Sequence, residues 1–137
     1  AEDVIRDWQY CLVGSEMCIR DSPYTERLRK IIIETATRQG VSVIPAGTYA
    51  ATQGPRFESA AEIDRMERDG ATIVGMTGMP EAILARELEL DYAMIAVIAN
   101  RAAGRADGEM SVTEIMEYLA AGIDMTRVLL QSVIPLL

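Results

Sequence analysis

The chain has 137 residues, the length of one ordinary domain, and half of its residues are hydrophobic while a quarter are charged. This composition excludes disordered, collagen-like and low-complexity proteins, because enough apolar surface is present to build a core. The 13 basic and 21 acidic residues give a net charge of -8, which repels nucleic acid and anionic membranes, so we expect neither as a partner.

The sequence contains no histidine. This excludes Ser/His/Asp and Cys/His triads and zinc sites built with histidine, and we expect no metal site. No stretch approaches the ~20 successive apolar residues of a membrane span, and the start of the chain does not have the pattern of a secretion signal. We therefore expect a soluble, cytoplasmic protein whose chemistry uses carboxylates, hydroxyls, amides and backbone groups.

The first 22 residues differ in character from the rest of the chain. They hold both cysteines and the only tryptophan, and they show neither a helical nor an alternating period. The stretch from Cys11 to Ser22, CLVGSEMCIRDS, resembles a peptide that arises when sequencing-adapter reads are translated. We interpret residues 1–22 as a foreign segment and residues 23–137 as the domain; an ordinary N-terminal strand and turn is the alternative.

From Pro23 onwards, helix and strand signals alternate. Pro23 opens an amphipathic helix, and Gly40 is placed to end it. Residues 41–52 are rich in small and β-branched side chains, with Pro45 and Gly47 as interruptions, which predicts a bulged or edge strand.

Two capping boxes mark the starts of later helices. In each, the serine hydroxyl accepts a hydrogen bond from the backbone N–H of a glutamate three residues later, and the glutamate carboxylate accepts one from the serine N–H. The pairs are Ser59 with Glu62 and Ser111 with Glu114. The first box predicts a helix that ends at Gly70, and the second predicts a long closing helix.

Two apolar runs between these helices predict strands. Residues 71–76 have strand length, and residues 92–99 are apolar without alternation, so we expect the second run to be central and covered on both faces. Between them, the segment from Thr77 to Pro80 starts a helix that ends near Leu90. This order predicts an α/β fold with a mixed or parallel sheet flanked by helices, in which ligands bind at the carboxyl ends of the strands.

Three separated motifs carry a resemblance to a known family. The stretches GTYAATQGPRFESAAEI and VGMTGMPEAILARELELDYAMIAVIANRAAG, followed by the closing helix, resemble the C-terminal half of methylthioadenosine and purine nucleoside phosphorylases, closest to the methylthioinosine branch. The resemblance implies a Rossmann-like fold and cleavage of the purine–ribose bond by phosphate as co-substrate, with no cofactor. It also implies a homotrimer in the full-length protein.

The same resemblance implies roles for single residues. Phe57 corresponds to the residue that packs against the base, and Met76 to the methionine beneath the ribose. Thr77 corresponds to the threonine that contacts phosphate, where its hydroxyl and the N–H groups at a helix start can meet an anion. The alternatives are that Phe57 is a core aromatic, that Met76 is an ordinary buried methionine and that Thr77 is only the N-cap of a helix. Val112 lies near the pocket for the 5′ substituent.

Asn100 is the predicted catalytic residue. The resemblance places it against N7 and the 6-substituent of the purine, where adenine-specific relatives carry aspartate both here and at the position of Ala102. An amide that donates to a carbonyl favours a 6-oxopurine, so we predict methylthioinosine over methylthioadenosine. A strand-end asparagine is otherwise a turn former. Glu58 replaces a serine of some adenine-specific relatives and either contacts the base edge or is a solvated carboxylate.

The resemblance also sets limits. Thr77 follows Met76 where hydrolytic nucleosidases of the superfamily carry a glutamate, which favours phosphate over water as the attacking group. The glycine-rich phosphate loop, the Arg-His pair and a further hydroxyl of the family have no counterpart in this sequence, so we expect this chain to be inactive alone. A methylthioadenosine or general 6-oxopurine phosphorylase, a non-catalytic nucleoside binder and an assembly piece are the alternatives.

Overall fold

The structure is a computed structural model that describes residues 22–106 and 111–137. These residues form helices and two parallel strands, which confirms the predicted α/β class. In chain order they are α1 (Glu26–Arg38), β1 (Tyr49–Ala51), α2 (Ala60–Arg68), β2 (Ile73–Gly75), α3 (Glu81–Glu87), α4 (Val112–Val133) and a 3-10 turn (Ile134–Leu136).

The two strands pair in parallel. Tyr49 lies opposite Ile73 and Ala51 opposite Gly75. The ladder continues one residue further, because the Thr52 N–H donates to the Gly75 carbonyl at 2.9 Å. The carboxyl ends of both strands therefore lie side by side, and the segments that follow them share one edge of the sheet.

The core lies between α1 and α4. Three side chains are fully buried there, and partly buried aliphatic side chains from α1 and from the segments after α1 and α3 pack against them. The buried residues are Ala36, Leu129 and Val133, and those packed against them are Ile31, Ile32, Val41, Val43 and Ile95.

Helix α1 begins later than predicted. Its N-cap is Thr25, whose N–H donates to the Tyr92 carbonyl at 2.7 Å while its hydroxyl accepts from the Tyr92 N–H at 3.0 Å. Because Thr25 is held in this extended pairing, the prediction that the helix opens at Pro23 was wrong. The predicted helix end is confirmed by Gly40, which has φ of 69°.

The predicted strand over residues 41–52 was correct only for its last part, from Tyr49. The Val41 N–H donates to the Ala36 carbonyl at 2.9 Å and so completes the end of α1. Arg29 of α1 donates to the Pro45 carbonyl. These bonds hold Val41 and Pro45 against α1, and pairing towards β2 begins only at Thr48, whose carbonyl accepts from the Thr72 N–H at 2.9 Å.

Residues 92–99, predicted as a central strand, are not paired in the sheet that the described residues form. The segment packs on the helices instead: Ile95 contacts the core, and Val97 lies so close to α4 that a Cβ on Gly122 would be 2.3 Å from its Cγ1. Contact with helices therefore accounts for much of this apolar run, although Ile98 is exposed.

Helix α4 exposes much of its apolar surface. Together with the 3-10 turn, the 25 residues Val112–Leu136 are long and apolar enough to cross a membrane, with a mean hydropathy of 1.3 over a stretch of 18 residues. This is weak evidence, because core helices of soluble proteins pass the same test. The absence of a membrane partner therefore stays a prediction. The large exposed side chains on α4 include Val112, Met116, Ile123, Met125 and Val128.

Both predicted capping boxes are present. The Glu62 carboxylate accepts from the Ser59 N–H at 2.7 Å, and the Glu114 carboxylate accepts from the Ser111 N–H at 2.8 Å. Glu62 also receives two bonds from the Arg56 guanidinium, both 2.8 Å long. The Arg56 bonds, followed by those from Ser59, hold the pKa of the Glu62 carboxyl far below its usual range.

A Glu62→Gln substitution separates the charge of this residue from its capping role. The depressed pKa means that the carboxylate stabilises the fold above its unfolded-state pKa of about 4.3, and this contribution is lost as pH falls towards the folded-state pKa. We expect the substitution to lower the free energy of unfolding at neutral pH, and the difference to shrink below pH ~4. Urea unfolding followed by circular dichroism across this pH range measures it.

Glu114→Gln is the matched control, because Glu114 has the same capping contacts and no arginine partner among the described residues. Its effect at neutral pH is expected to be smaller. A loss for Glu62→Gln that is equal at neutral and acidic pH would contradict the ion-pair interpretation.

Candidate functional site

Three of the predicted site residues meet at the carboxyl ends of β1 and β2. Met76 and Thr77 follow β2 directly. Glu58 reaches the same edge because its carboxylate Oε1 accepts from the Thr52 hydroxyl at 2.6 Å, and that hydroxyl lies 3.4 Å from the Gly75 carbonyl. Met76 and Thr77 lie at a strand end, where ligands bind in α/β sheets, whereas Glu58 was predicted only from the family resemblance.

Glu58 lines an open cavity of about 510 Å³ between β1 and α2. The volume is in the range of small-molecule sites. Arg56 and Glu62 also line the cavity, but their charges are paired with each other. Glu58 is half-buried, and in the described part of the chain its Oε2 accepts no hydrogen bond, so this oxygen is the acceptor that a ligand can use.

Met76 is packed against the loop that carries Phe57 and Glu58. Gly54 of this loop has φ of 63°, and a Cβ at this position would lie 2.7 Å from the Met76 Sδ. Glycine is therefore required here both by the left-handed backbone and by the close thioether. The contact places an apolar, adaptable group against Gly54, four residues before Glu58.

The Tyr49 side chain binds backbone N–H groups at Thr77 and the residue after it. The N–H groups of Thr77 and Gly78 both donate to the Tyr49 hydroxyl at 3.2 Å. The ring fits there because Gly75 and Gly78 carry no side chain: a Cβ on either would lie 2.3 or 2.8 Å from the tyrosine. Both N–H groups are thus engaged within the chain, and the expectation that the start of this helix meets an anion stays a prediction.

Of the seven predicted residues, Glu58 alone lines the cavity, and the four outside the cluster at the strand ends lie elsewhere. Phe57 and Val112 are 73% and 76% exposed. Asn100 is exposed, and its amide nitrogen donates to the Arg101 carbonyl at 2.8 Å, as in the turn-forming alternative. Ala102 is half-buried in the loop that follows. The structure holds no ligand that tests these residues, so their roles stay predictions.

Sequence reasoning missed two residues that build the site. Thr52 is the last residue of the strand predicted over residues 41–52. The principle that ligands bind at the carboxyl ends of strands could therefore have found it. Tyr49 gave no such signal, because its partners lie 28 and 29 residues further along the chain. No group of three or more potential metal ligands is present in the residues that the structure describes.

A profile of the phosphorylase superfamily matches residues 15–135. Since the match begins within residues 1–22, the division of the chain at residue 22 stays a prediction. The profile covers most of the chain, and it includes both strands and all four helices.

Individual proteins agree with this match. The chain is 47% identical over 112 residues to a "Probable S-methyl-5'-thioinosine phosphorylase" of Pseudomonas syringae, which covers 82% of the chain and 46% of the relative. It is 44% identical over 112 residues to a "Probable 6-oxopurine nucleoside phosphorylase" of Thermococcus kodakarensis, covering 82% of the chain and 42% of the relative.

Among solved structures, methylthioadenosine phosphorylase from Schistosoma mansoni in complex with adenine is similar, with a TM-score of 0.80 at 26% identity. The similarity covers 88% of the chain and 48% of that structure. The chain thus spans about half the length of the proteins that it matches.

Tyr49→Phe tests the bond between the strands and the segment after β2. Loss of the hydroxyl leaves two N–H groups without their acceptor, and we expect the free energy of unfolding to fall by about 1–2 kcal/mol. Urea unfolding measures the change. Tyr118→Phe, which removes the hydroxyl of an exposed tyrosine on α4, is the control, and an equal effect of both variants would contradict the role of Tyr49.

Proposed function

Because the chain belongs to the phosphorylase superfamily, we propose that the full-length protein containing it is a purine nucleoside phosphorylase, a pentosyltransferase of purine salvage. Its substrate is a 6-oxopurine nucleoside, in the first place S-methyl-5'-thioinosine, which is converted to hypoxanthine and methylthioribose 1-phosphate. The names of the relatives with which the chain shares 43–50% identity support the 6-oxopurine class.

The observation that carries this proposal is the Glu58 carboxylate held by Thr52. Hypoxanthine has a hydrogen on N1, whereas adenine presents a bare nitrogen acceptor at the same position. Oε1 is bound to the Thr52 hydroxyl at 2.6 Å, and in the proposal Oε2 accepts from the N1–H. Against adenine, the same oxygen would meet a lone pair, which is unfavourable for a half-buried carboxylate.

Asn100 supplies the second part of the proposal. When the bond between C1′ and N9 breaks, its electron pair moves onto the purine, and an amide donor near O6 or N7 stabilises that charge. In the structure the Asn100 amide donates to the neighbouring Arg101 carbonyl. This local bond is exposed, so exchanging it for a bond to the base costs little.

The attacking group is phosphate. One phosphate oxygen forms the new bond to C1′ as the bond to N9 breaks, and the departing purine takes up a proton. Thr77 offers a hydroxyl to this phosphate, since the neighbouring N–H groups are bound to Tyr49. Phosphate held by a single hydroxyl is not positioned for attack, so we infer that the donors of the other half of the protein are needed.

A 6-aminopurine nucleoside is the alternative substrate. The similar solved structures support it, since they are methylthioadenosine phosphorylases. Their identity to the chain is lower than that of the 6-oxopurine relatives, and Glu58 with Asn100 favours the 6-oxo base. A homotrimer, a cytoplasmic location and the base and 5′ contacts of Phe57, Ala102 and Val112 belong to the same proposal.

Glu58→Gln in the full-length enzyme tests the base contact. We expect kcat/KM for S-methyl-5'-thioinosine to fall about 100-fold, since a charged acceptor is lost, while the low rate with methylthioadenosine changes little. Base release followed spectrophotometrically measures both. Glu117→Gln, at an exposed position of α4, is the control. Faster turnover of methylthioadenosine than of methylthioinosine by the unsubstituted enzyme would overturn the proposed substrate.

Omission of phosphate tests the attacking group. We expect release of hypoxanthine by the full-length enzyme to require phosphate and to produce methylthioribose 1-phosphate in equal amount. The isolated chain of 137 residues is expected to release no base with or without phosphate. Phosphate-independent release would instead identify a nucleosidase, and turnover by the isolated chain would contradict the need for further phosphate donors.

A further inference from the structure

The loop after residues 92–99 is bound to helix α2. The Arg105 guanidinium Nη2 donates to Asp64 Oδ1 at 2.8 Å and to Glu67 Oε2 at 2.5 Å. Both acceptors lie on α2, one turn apart, so a single arginine bridges them. The Arg105 side chain is 33% exposed, less than either carboxylate that it binds.

A second contact fixes the same loop at the start of α2. Gly104 has φ of 75°, and a Cβ at this position would lie 2.9 Å from the Cβ of Ala60. Ala60 is the first residue of α2, and it follows Glu58 by two positions. Gly104 therefore places the loop against the segment that carries the Glu58 carboxylate.

The loop is also ordered by its own bonds. The Arg105 N–H donates to the Ala102 carbonyl at 3.0 Å, and the Arg101 guanidinium donates to the Arg105 carbonyl at 3.4 Å. A displacement of Arg105 would therefore move Ala102 and Arg101. Asn100 would move with them, because it directly precedes Arg101 in the backbone.

We propose that Arg105 is a positioning residue which, by binding Asp64 and Glu67, sets the distance between Asn100 and Glu58. This inference rests on the proposed function, in which these two side chains contact the same base from separate segments. Two groups that recognise one small rigid ring must be held at a fixed separation, since a shift of about 1 Å costs much of the rate. An ion pair on the surface often contributes little, but here one guanidinium bridges two carboxylates beside a tightly packed glycine.

Arg105→Ala in the full-length enzyme is the first test. The loss of two exposed ion pairs corresponds to roughly a 2- to 30-fold change in an equilibrium constant. We expect amide hydrogen exchange in residues 101–106 to rise and KM for S-methyl-5'-thioinosine to increase by a factor in that range, while the midpoint of thermal unfolding is unchanged. Arg105→Lys is expected to restore part of both effects, because it keeps the charge.

Arg127→Ala is the matched control, since Arg127 forms an exposed ion pair with Asp124 on α4, 3.1 Å long. It should change neither loop exchange nor KM. The double variant with Arg105→Glu and Glu67→Arg keeps one ion pair between the loop and α2, with the charges reversed. We expect amide hydrogen exchange in residues 101–106 to be slower in this variant than in Arg105→Glu alone.

Amide hydrogen exchange in residues 101–106 is measured without substrate. The positioning role of Arg105 and the proposed function can therefore be contradicted independently of each other. Unchanged exchange in Arg105→Ala, or increased exchange with unchanged KM, would overturn the positioning role. If exchange rises as expected but the unsubstituted enzyme turns over no 6-oxopurine nucleoside, the loop is anchored as described and the proposed function is wrong.

Discussion

The parallel pairing of β1 with β2 is the constraint on which the site depends. The last bond of this ladder, from the Thr52 N–H to the Gly75 carbonyl, joins the two strand ends at 2.9 Å. The hydroxyl of the same threonine binds Glu58, so one residue connects the sheet to the cavity. Met76 and Thr77 lie beside it because they follow β2 directly. Without the pairing, the carboxylate, the thioether and the hydroxyl would belong to unrelated segments.

Features that depend on neighbours in sequence were predicted correctly. Both capping boxes and the glycine after α1 need only residues within one turn, and the structure has them where the sequence placed them. Strand boundaries were predicted less well because pairing joins distant segments. Val41 and Pro45 bind α1 instead of the sheet, and residues 92–99 pack on helices. An apolar run indicates burial, but it does not indicate which element covers it.

The candidate site divides in the same way. Met76 and Thr77 could be located because strand ends of an α/β sheet meet at one edge, whereas Glu58 was predicted from the family resemblance. The bond from Tyr49 and the ion pairs from Arg105 could not, since their partners lie 28 to 41 residues away and no local pattern marks them. The sequence thus indicated which residues have the right chemistry. The contacts that orient them became visible only in the folded chain.

The tyrosine hydroxyl that binds two N–H groups after β2 has a consequence for the proposed phosphate contact. Main-chain donors are common to every sequence that adopts a given backbone, whereas a hydroxyl depends on one side chain. Because Tyr49 engages the N–H groups of Thr77 and Gly78, the contact proposed for this edge depends on the Thr77 side chain. A substitution at position 77 would therefore change that contact while the pairing of the strands is kept.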